Sequence, residues 1–202
     1  MKITTLFLDI GGVLGTNGWD HTERQLAAKQ FGLDYEAMER RHKEVYPSHE
    51  RGETTLNQYL SQVVFYTPRT FTVSQFKEFM REQSIPDLNM IEFMRSLKKD
   101  NKLSMMAMSN EGRDLADYRM QKFDLKSFMD AFFISCYVGI QKPDLRIYRT
   151  ALDVCQLDPK EIIYIDDRDY LIAAAAEVGI AGIVHKSLDS TKQQLAAHGI
   201  GL

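Results

Sequence analysis

The sequence predicts an α/β fold built on a parallel sheet, and two observations favour it. First, short apolar runs alternate with amphipathic helical patterns over the second half of the chain, which is typical of βαβ units. Second, four polar clusters each follow an apolar run; they are FLDIGGVL at 7–14, MAMSNE at 106–111, GIQKPD at 139–144 and IYIDDRD at 163–169. The carboxyl ends of parallel strands form the sheet edge where ligands bind. We therefore expect these clusters to lie together.

The strands and the helices between them can be placed along the chain. The strand-like runs are residues 4–8, 103–108, 131–135, 162–165 and 180–184. The helical patterns between the later runs are residues 114–122, 145–152, 170–178 and 191–198. Gly179 and Gly182 bracket the turn into the last strand, as expected after the end of a helix. These elements predict a parallel sheet of five or more strands flanked by helices.

The stretch from about residue 15 to residue 88 carries no convincing strand. Its helical patterns are residues 23–31, 35–45, 56–64 and 73–80, broken by Pro47, Gly52 and Pro68. Asp20 and Thr55 are placed to begin helices, because Asp and Thr are good N-cap residues. We therefore predict a core domain of residues 1–15 and 89–202, with a helical domain of residues 16–88 inserted after the first strand.

Composition excludes several classes of protein. The 202 residues carry a net charge of −3 with both signs mixed, so the basic surface of a nucleic-acid-binding protein is absent. No window reaches the ~18 consecutive apolar residues that a membrane helix needs, and we interpret the first residues as a strand rather than a signal peptide. Cys136 and Cys155 lack the spacing of a zinc site or a redox motif. We expect a cytoplasmic protein with reduced cysteines and no nucleic-acid or membrane partner.

The first two clusters offer a carboxylate, a hydroxyl and an amide. Asp9 ends an apolar run, and a carboxylate in that position could attack an electrophilic phosphorus to form an aspartyl-phosphate. It could equally close a strand before the glycine turn at Gly11. Ser109 and Asn110 could donate hydrogen bonds to phosphate oxygens, or could cap the helix that follows.

The last two clusters offer an amine and a pair of carboxylates. Lys142 precedes Pro143, which can start the next helix, and its ammonium could offset negative charge on a nucleophile and a phosphoryl group. The alternative is an ordinary solvated lysine. Asp166 and Asp167 would repel each other unless a cation such as Mg²⁺ held them, although acids also favour the first turn of a helix.

The order and spacing of these clusters resemble the haloacid dehalogenase (HAD) superfamily of phosphohydrolases along the whole chain. Asp9, Ser109, Lys142 and the pair Asp166 and Asp167 match its four motifs in turn. The helical insertion resembles the superfamily's C1 cap. The motifs DxGGVL, SNxxR and GxxKPD, with the cap stretch at residues 50–53, resemble a branch that contains sugar-phosphate phosphatases and the N-terminal domain of soluble epoxide hydrolase. The resemblance implies a Rossmann-like core and a Mg²⁺-dependent phosphatase acting on a small phosphorylated metabolite.

The same resemblance implies roles for the matched residues. Asp9 would be the nucleophile and a Mg²⁺ ligand. The backbone carbonyl of Gly11 and the carboxylate of Asp167 would complete the protein's share of the metal shell, with Asp166 close behind. The side chains that would hold the phosphoryl oxygens are Ser109, Asn110 and Lys142.

The sequence departs from the superfamily's pattern at two positions. Gly11 stands where most of these phosphatases carry a second Asp, the general acid and base, whose help is typically worth about 10²–10⁴-fold. We therefore expect preference for esters with good leaving groups, such as sugar 1-phosphates, unless Asp20, His21 or Glu111 substitutes. Leu171 replaces an Asp or Asn that supports the metal, and such a loss can cost about 10–100-fold in affinity or activity.

Other functions remain as alternatives. A catalytically weak phosphate-binding or regulatory protein would bind Mg²⁺ and phosphate without turnover. The paired aspartates argue against a metal-free dehalogenase, and Gly11 argues against a phosphomutase. Four aromatic residues could line the substrate pocket or pack within the cap, namely Trp19, Tyr46, Tyr59 and Tyr66. The oligomeric state, monomer or homodimer, stays open.

Overall fold

The computed structural model describes residues 2–201, so Met1 and Leu202, the outer bounds of the predicted core domain, lie outside the described residues. Five strands form one sheet in the order β3-β2-β1-β4-β5, and every pair of neighbours is parallel. The strands are β1 (Thr5–Leu8), β2 (Ser104–Ser109), β3 (Ala131–Ile134), β4 (Ile162–Asp166) and β5 (Ala181–Val184). The predicted parallel sheet is confirmed, with each strand's bounds within one residue of the prediction.

Ten α-helices surround or extend from this sheet over residues 2–201. They are α1 (His21–Phe31), α2 (Tyr35–Glu50), α3 (Leu56–Val63), α4 (Val73–Glu82), α5 (Leu88–Asn101), α6 (Arg113–Lys122), α7 (Ser135–Val138), α8 (Leu145–Cys155), α9 (Asp169–Glu177) and α10 (Leu188–Ala197). Asp20 and Thr55 cap α1 and α3 as predicted, each with a capping box. None of the helices described is both long enough and apolar enough to cross a membrane.

The structure corrects several local predictions. Pro47 does not end a helix, because it falls in the last turn of α2, where the ring removes only one backbone donor before the helix stops. Pro143 does not begin α8, whose N-cap is Asp144. Gly182 lies inside β5 rather than in a turn; a Cβ there would come 2.5 Å from Ile172 Cγ2, so glycine lets α9 pack closely. Ser135, predicted to end a strand, begins α7 instead.

The two faces of the sheet are both buried, as a parallel sheet requires. Side chains alternate along each strand, so Leu6 and Leu8 of β1 pack on one side with residues of α5 and α10, while Phe7 packs on the other side with residues of α8 and α9. This double cover leaves the ends of the strands as the accessible edge.

The helices α1–α4 share a separate apolar core, which includes Phe76 and Leu60. Within it, Trp19 Nε1 donates to the Tyr59 hydroxyl at 2.9 Å, and that hydroxyl lies 2.8 Å from His42 Nδ1. Burial lowers the pKa of His42 to about 3, so the ring is neutral and its Nδ1 shares a hydrogen bond with the Tyr59 hydroxyl. The helical insertion therefore has its own folded core; the residues at which one domain gives way to the other stay a prediction.

Arg119 of α6 ties both connecting segments of the insertion to the core. Its NH2 donates to the Thr16 carbonyl at 2.7 Å, and its Nε donates to Ser84 Oγ at 3.1 Å. A Cβ at Gly18, which has φ +77°, would come 2.0 Å from Arg119 NH2, so glycine is needed for this approach. The buried Arg119 guanidinium thus fixes both segments that connect the helical insertion to the core.

Candidate active site

The carboxyl edge of the sheet gathers the residues predicted to act together. Asp9 directly follows β1, Ser109 ends β2 and Asp166 ends β4, and these three strands are neighbours. Lys142 reaches the same place from the loop after α7. Neither Ser109 nor Asn110 caps α6, whose N-cap is Gly112, and α9 begins only at Asp169. The helix-capping alternatives for these residues therefore do not hold.

Lys142 is the centre of this cluster. Its buried Nζ donates to Asp166 Oδ2 at 2.7 Å, to the Tyr164 hydroxyl at 2.7 Å and to the Met108 carbonyl at 3.0 Å. It also lies 3.1 Å from Asp9 Oδ1. Burial lowers the pKa of Lys142, but the carboxylates of Asp9 and Asp166 outweigh it and raise the pKa above its ordinary value. Lys142 is therefore a fixed positive charge between two carboxylates.

The side chain of Asn110 positions Lys142 by hydrogen bonds to the Lys142 backbone. Asn110 Nδ2 donates to the Lys142 carbonyl at 2.8 Å, and the Lys142 amide donates to Asn110 Oδ1 at 2.8 Å. The side chain also lines the cavity described below. The structure thus gives Asn110 a positioning task; its contact with a phosphoryl oxygen stays a prediction.

Asp9 is held in one orientation. Its Oδ1 accepts a hydrogen bond from the Ile10 amide at 2.9 Å, and the Ser109 hydroxyl lies within hydrogen-bonding reach of its carboxylate. Burial raises the pKa of Asp9 to about 7, with a smaller rise from Asp166 and an opposing effect of Lys142. Because a nearby positive charge favours the charged form of a carboxylate, a cation at this edge would keep Asp9 ionised and nucleophilic.

Asp9, Asp166 and Asp167 present oxygens that all lie within 4.8 Å of one another. Asp167 Oδ1 is buried and has no hydrogen-bond partner among residues 2–201, which is costly unless a cation satisfies it. The Gly11 carbonyl likewise accepts no hydrogen bond from the described residues. These oxygen donors are the type that Mg²⁺ prefers, so the residues present fit a magnesium ion.

Asp166 differs from Asp167 because its oxygens are already engaged. Oδ2 accepts from Lys142 and contacts the Tyr164 hydroxyl, and Oδ1 accepts from the Arg168 amide at 2.9 Å. Burial, followed by the charge of Asp166, raises the pKa of Asp167, while Lys142 and Arg168, whose Nε lies 4.0 Å from Asp167 Oδ1, oppose the rise. The contacts therefore suit Asp167 as a direct ligand and Asp166 as support behind it.

Gly12 makes room for Asp167. It has φ +74°, and a Cβ on it would come 2.3 Å from Asp167 Oδ2. Any side chain at this position would displace the carboxylate as well as strain the backbone.

We expect Gly12→Ala to lower the activity that the sequence resemblance implies, release of phosphate, at least about 10²-fold, since a displacement of about 1 Å in an active site can cost that much. Gly32→Ala is the matched control: Gly32 also has positive φ, +61°, but nothing lies within 4 Å of its Cβ position. Initial rates and melting temperatures of both variants measure the difference. Equal activity losses in the two variants would contradict the role assigned to Gly12.

The side-chain direction of Gly11 points at Asn17 and Arg119. A Cβ there would lie 3.1 Å from Asn17 Oδ1 and 3.5 Å from Arg119 NH1. Arg119 NH1 in turn donates to Glu111 Oε1 at 2.7 Å, while Glu111 Oε2 is buried without a partner among residues 2–201. Glycine at position 11 provides no general acid, and the ion pair of Arg119 with Glu111 lies beside that position.

A cavity of about 340 Å³ opens onto Asp9, Ser109 and Lys142 and is covered by residues of the helical insertion. Trp19 and Tyr46 line it as predicted. Tyr59 instead is buried within the core of the helical insertion, and Tyr66 lies outside the cavity beneath the Arg41 guanidinium.

Two of the three residues suggested as substitutes for the missing acid are poorly placed. His21 does not line the cavity, and its side chain is 66% exposed. Asp20 does line it, but the carboxylate caps α1 and pairs with Arg168 at 3.3 Å. Glu111 lines the cavity and remains a candidate on position alone.

The sequence patterns missed several residues of this site. The sequence pattern predicts Tyr164 as an apolar strand residue and Arg119 as a surface residue of α6. Only the structure shows that Tyr164 contacts Lys142 and that Arg119 pairs with Glu111. Glu50 and Arg168 also line the cavity. The signal for Glu50 was its place in the cap stretch at residues 50–53, but nothing there indicates which way the side chain faces.

Comparison with known proteins places the chain in a family. The model of the haloacid dehalogenase-like hydrolase family matches residues 3–179. The chain is 25% identical over 197 residues to drimenol cyclase of Aspergillus calidoustus, covering 96% of this chain and 36% of that protein. It is 27% identical over 175 residues to flavin mononucleotide hydrolase 1 of Arabidopsis thaliana, covering 85% and 69%.

The chain is also 24% identical over 216 residues to bifunctional epoxide hydrolase 2 of Sus scrofa, covering 96% of this chain and 38% of that protein. It thus spans little more than a third of the length of two of these relatives. Among solved structures, a HAD family enzyme of Bacteroides thetaiotaomicron in complex with magnesium and inorganic phosphate superposes with a TM-score of 0.75 at 18% identity, covering 92% and 96% of the two chains. That likeness shows the shared fold. With the family model matching most of its length, the chain belongs to the haloacid dehalogenase-like hydrolase family.

Proposed function

We propose that this protein is a Mg²⁺-dependent phosphatase that hydrolyses a small phosphate monoester through an aspartyl-phosphate on Asp9. The observation that carries the proposal is the convergence of Asp9, Lys142 and the unpartnered oxygen of Asp167 at one buried edge. A hydrolase of a phosphate ester among the relatives, and a structural neighbour that holds magnesium and phosphate, support it.

The residues divide the reaction among them. Asp9 attacks phosphorus, while Ser109 and Lys142 are placed to hold the phosphoryl oxygens. When bound by Asp9, Asp167 and the Gly11 carbonyl, Mg²⁺ would neutralise charge and align the phosphate. Lys142 lies between Asp9 and Asp166 and offsets the charge of both carboxylates. Residues of the helical insertion line the cavity at this edge. Hydrolysis of the acyl-phosphate then restores Asp9.

The cavity favours a small substrate. Its volume of about 340 Å³ lies at the lower end of the range for small-molecule sites. Because position 11 carries no acid, we propose that esters with good leaving groups, such as sugar 1-phosphates, react most readily.

Phosphate release from a graded panel tests this function. The panel runs from p-nitrophenyl and acetyl phosphate through sugar 1-phosphates to sugar 6-phosphates and nucleotides, each with Mg²⁺ and with a chelator. We expect Mg²⁺-dependent release, fastest for the good leaving groups. If no compound of the panel releases phosphate while the protein still binds Mg²⁺, the result would instead favour a phosphate-binding or regulatory protein.

A further inference from the structure

Glu50 brings a carboxyl group from the cap into the cavity that the catalytic residues share. It is the last residue of α2, and its half-buried side chain lines the cavity together with Asp9, Ser109 and Lys142. The cavity therefore contains a carboxyl group of the cap, although position 11 of the core has none.

The backbone around Glu50 is fixed to the core. The Glu50 carbonyl accepts a hydrogen bond from Ser135 Oγ at 2.6 Å, and Arg51 NH1 donates to Gln141 Oε1 at 3.1 Å. Gly52 has φ +75°, and a Cβ there would come 2.5 Å from the Cys136 carbonyl, so the chain packs directly on the core at this point. These three contacts hold the end of α2 at the mouth of the site.

The Glu50 carboxyl has no hydrogen bond or ion pair with any described residue, whereas the other candidates are engaged. Glu111 is paired through Oε1 with Arg119 at 2.7 Å, and the same oxygen accepts from Ser109 at 3.3 Å, so only its buried Oε2 lacks a partner among residues 2–201. His42 Nδ1 is already hydrogen-bonded to the Tyr59 hydroxyl at 2.8 Å. Glu50 is thus free to interact with a substrate oxygen.

The surroundings favour a proton on Glu50 near neutral pH. Burial raises its pKa, the charges of Arg168 and Lys142 oppose the rise, and Glu111 and Asp9 add to it; together these effects bring the pKa of Glu50 to about 7. Its place at the carboxyl end of α2 acts in the same direction as burial, because that end of a helix is electronegative. A general acid and base works best when its pKa lies near the operating pH.

We propose that Glu50 is the general acid and base of this enzyme, in place of the aspartate that Gly11 lacks. This inference rests on the proposed phosphatase function and extends it to esters with poor leaving groups. As Asp9 bonds to phosphorus, the bond from phosphorus to the ester oxygen breaks, and Glu50 gives that oxygen its proton. The Glu50 carboxylate then takes a proton from the water that attacks phosphorus, and the bond from phosphorus to Asp9 breaks as phosphate leaves.

The leaving-group dependence of Glu50→Gln tests the proposal. We expect kcat/KM for a sugar 6-phosphate or another alkyl phosphate to fall about 10²–10⁴-fold, the usual worth of a general acid. For p-nitrophenyl phosphate, whose leaving group needs no proton, we expect a fall of less than about tenfold. Glu44→Gln, an exposed glutamate of the same helix, is the matched control and should change neither value.

Two results would overturn the role of Glu50. An equal loss on both substrates would show that Glu50 only shapes the site, and no loss on the alkyl phosphate would show that it is not used. Wild-type activity on p-nitrophenyl phosphate that disappears in Asp9→Asn tests the phosphatase function by itself, so failure of the function and failure of Glu50 are distinguishable.

The pH dependence gives a second test. In the wild type, kcat/KM for the alkyl phosphate should fall as pH rises above about 7, because Glu50 loses the proton it donates; in Glu50→Gln this fall should be absent. The charged and titratable groups that act on Glu50 or are acted on by it are Asp9, Tyr46, Arg51, Tyr59, Glu111, Lys142 and Arg168. They are common to both proteins, so the difference between the profiles isolates Glu50.

The wild type alone also tests the inference, should Glu50→Gln fail to fold. Across phenyl and alkyl phosphates of rising leaving-group basicity, protonation by Glu50 predicts a shallow decline in kcat/KM. A decline of about 10⁴-fold or more, the full worth of a general acid, would contradict it.

Discussion

Replacing Asp9 with asparagine is expected to abolish turnover, lowering kcat at least about 10⁴-fold, the scale seen when a nucleophile is removed. The amide keeps the shape of the side chain but cannot form the acyl-phosphate. Because burial raises the pKa of Asp9 to about 7, the ionised carboxylate is unfavourable in the folded state above that pH. The melting temperature of Asp9→Asn at pH 8 should therefore not fall below that of the wild type.

Steady-state rates with p-nitrophenyl phosphate and thermal unfolding check this prediction together. Asp153→Asn, an exposed aspartate of α8, is the matched control and should retain wild-type values of both. Asp9→Ala guards against slow deamidation of the new asparagine. Mg²⁺-dependent turnover by Asp9→Asn at the wild-type rate would remove Asp9 as the nucleophile.

Replacing Lys142 with methionine is expected to remove both activity and stability. Methionine fills a similar volume but leaves Asp166, which is fully buried, without its cation. Breaking a buried ion pair in this way typically costs about 3–5 kcal/mol. Denaturant unfolding should show that loss in the free energy of unfolding, and phosphate release should be undetectable.

A double variant separates the two effects of Lys142. Adding Asp166→Asn to Lys142→Met removes the uncompensated charge, so the free energy of unfolding should recover in part while turnover stays absent. Lys160→Met, an exposed lysine before β4, is the control for loss of a lysine. A stable, active Lys142→Met protein would show that the ammonium contributes to neither property.

The sheet could be predicted because each strand is a short apolar run closed by a polar cluster. The runs containing Leu6 and Ile163 are fully buried, and strands buried on both faces of a parallel sheet are continuously apolar. Parallel neighbours then bring their ends together, which is why Asp9, Ser109 and Asp166 could be predicted to meet.

Some helices were harder to predict than the strands, in their existence or in the residues at which they end. Helix α5 was missing from the prediction although it carries usable signals, with Asp87 as N-cap and buried residues at helical spacing from Met90 to Leu97. Helix α7 has only four residues, too few for any period to show. Helix α2 continues past Pro47 to Glu50 because the proline falls in the last turn, where its ring removes only one backbone donor.

The residues that hold the side chains of the site in place could not be predicted from local sequence patterns. Tyr164 and Arg119 are ordinary residues of a strand and a helix by spacing, and their hydrogen bonds join segments far apart in the chain. The direction of Glu50 depends on the contact of its own carbonyl with Ser135 and on the contact of Arg51 with Gln141. Such residues take their roles from the fold rather than from their position in a motif.

Covalent capture tests the central claim most directly. The wild-type protein, mixed with p-nitrophenyl phosphate and Mg²⁺ and quenched in acid within milliseconds, should carry one phosphoryl group on the peptide that contains Asp9, as measured by mass spectrometry. Asp9→Asn should carry none. Phosphate release from a protein whose Asp9 peptide stays unmodified, or a phosphoryl group on another residue, would contradict the account.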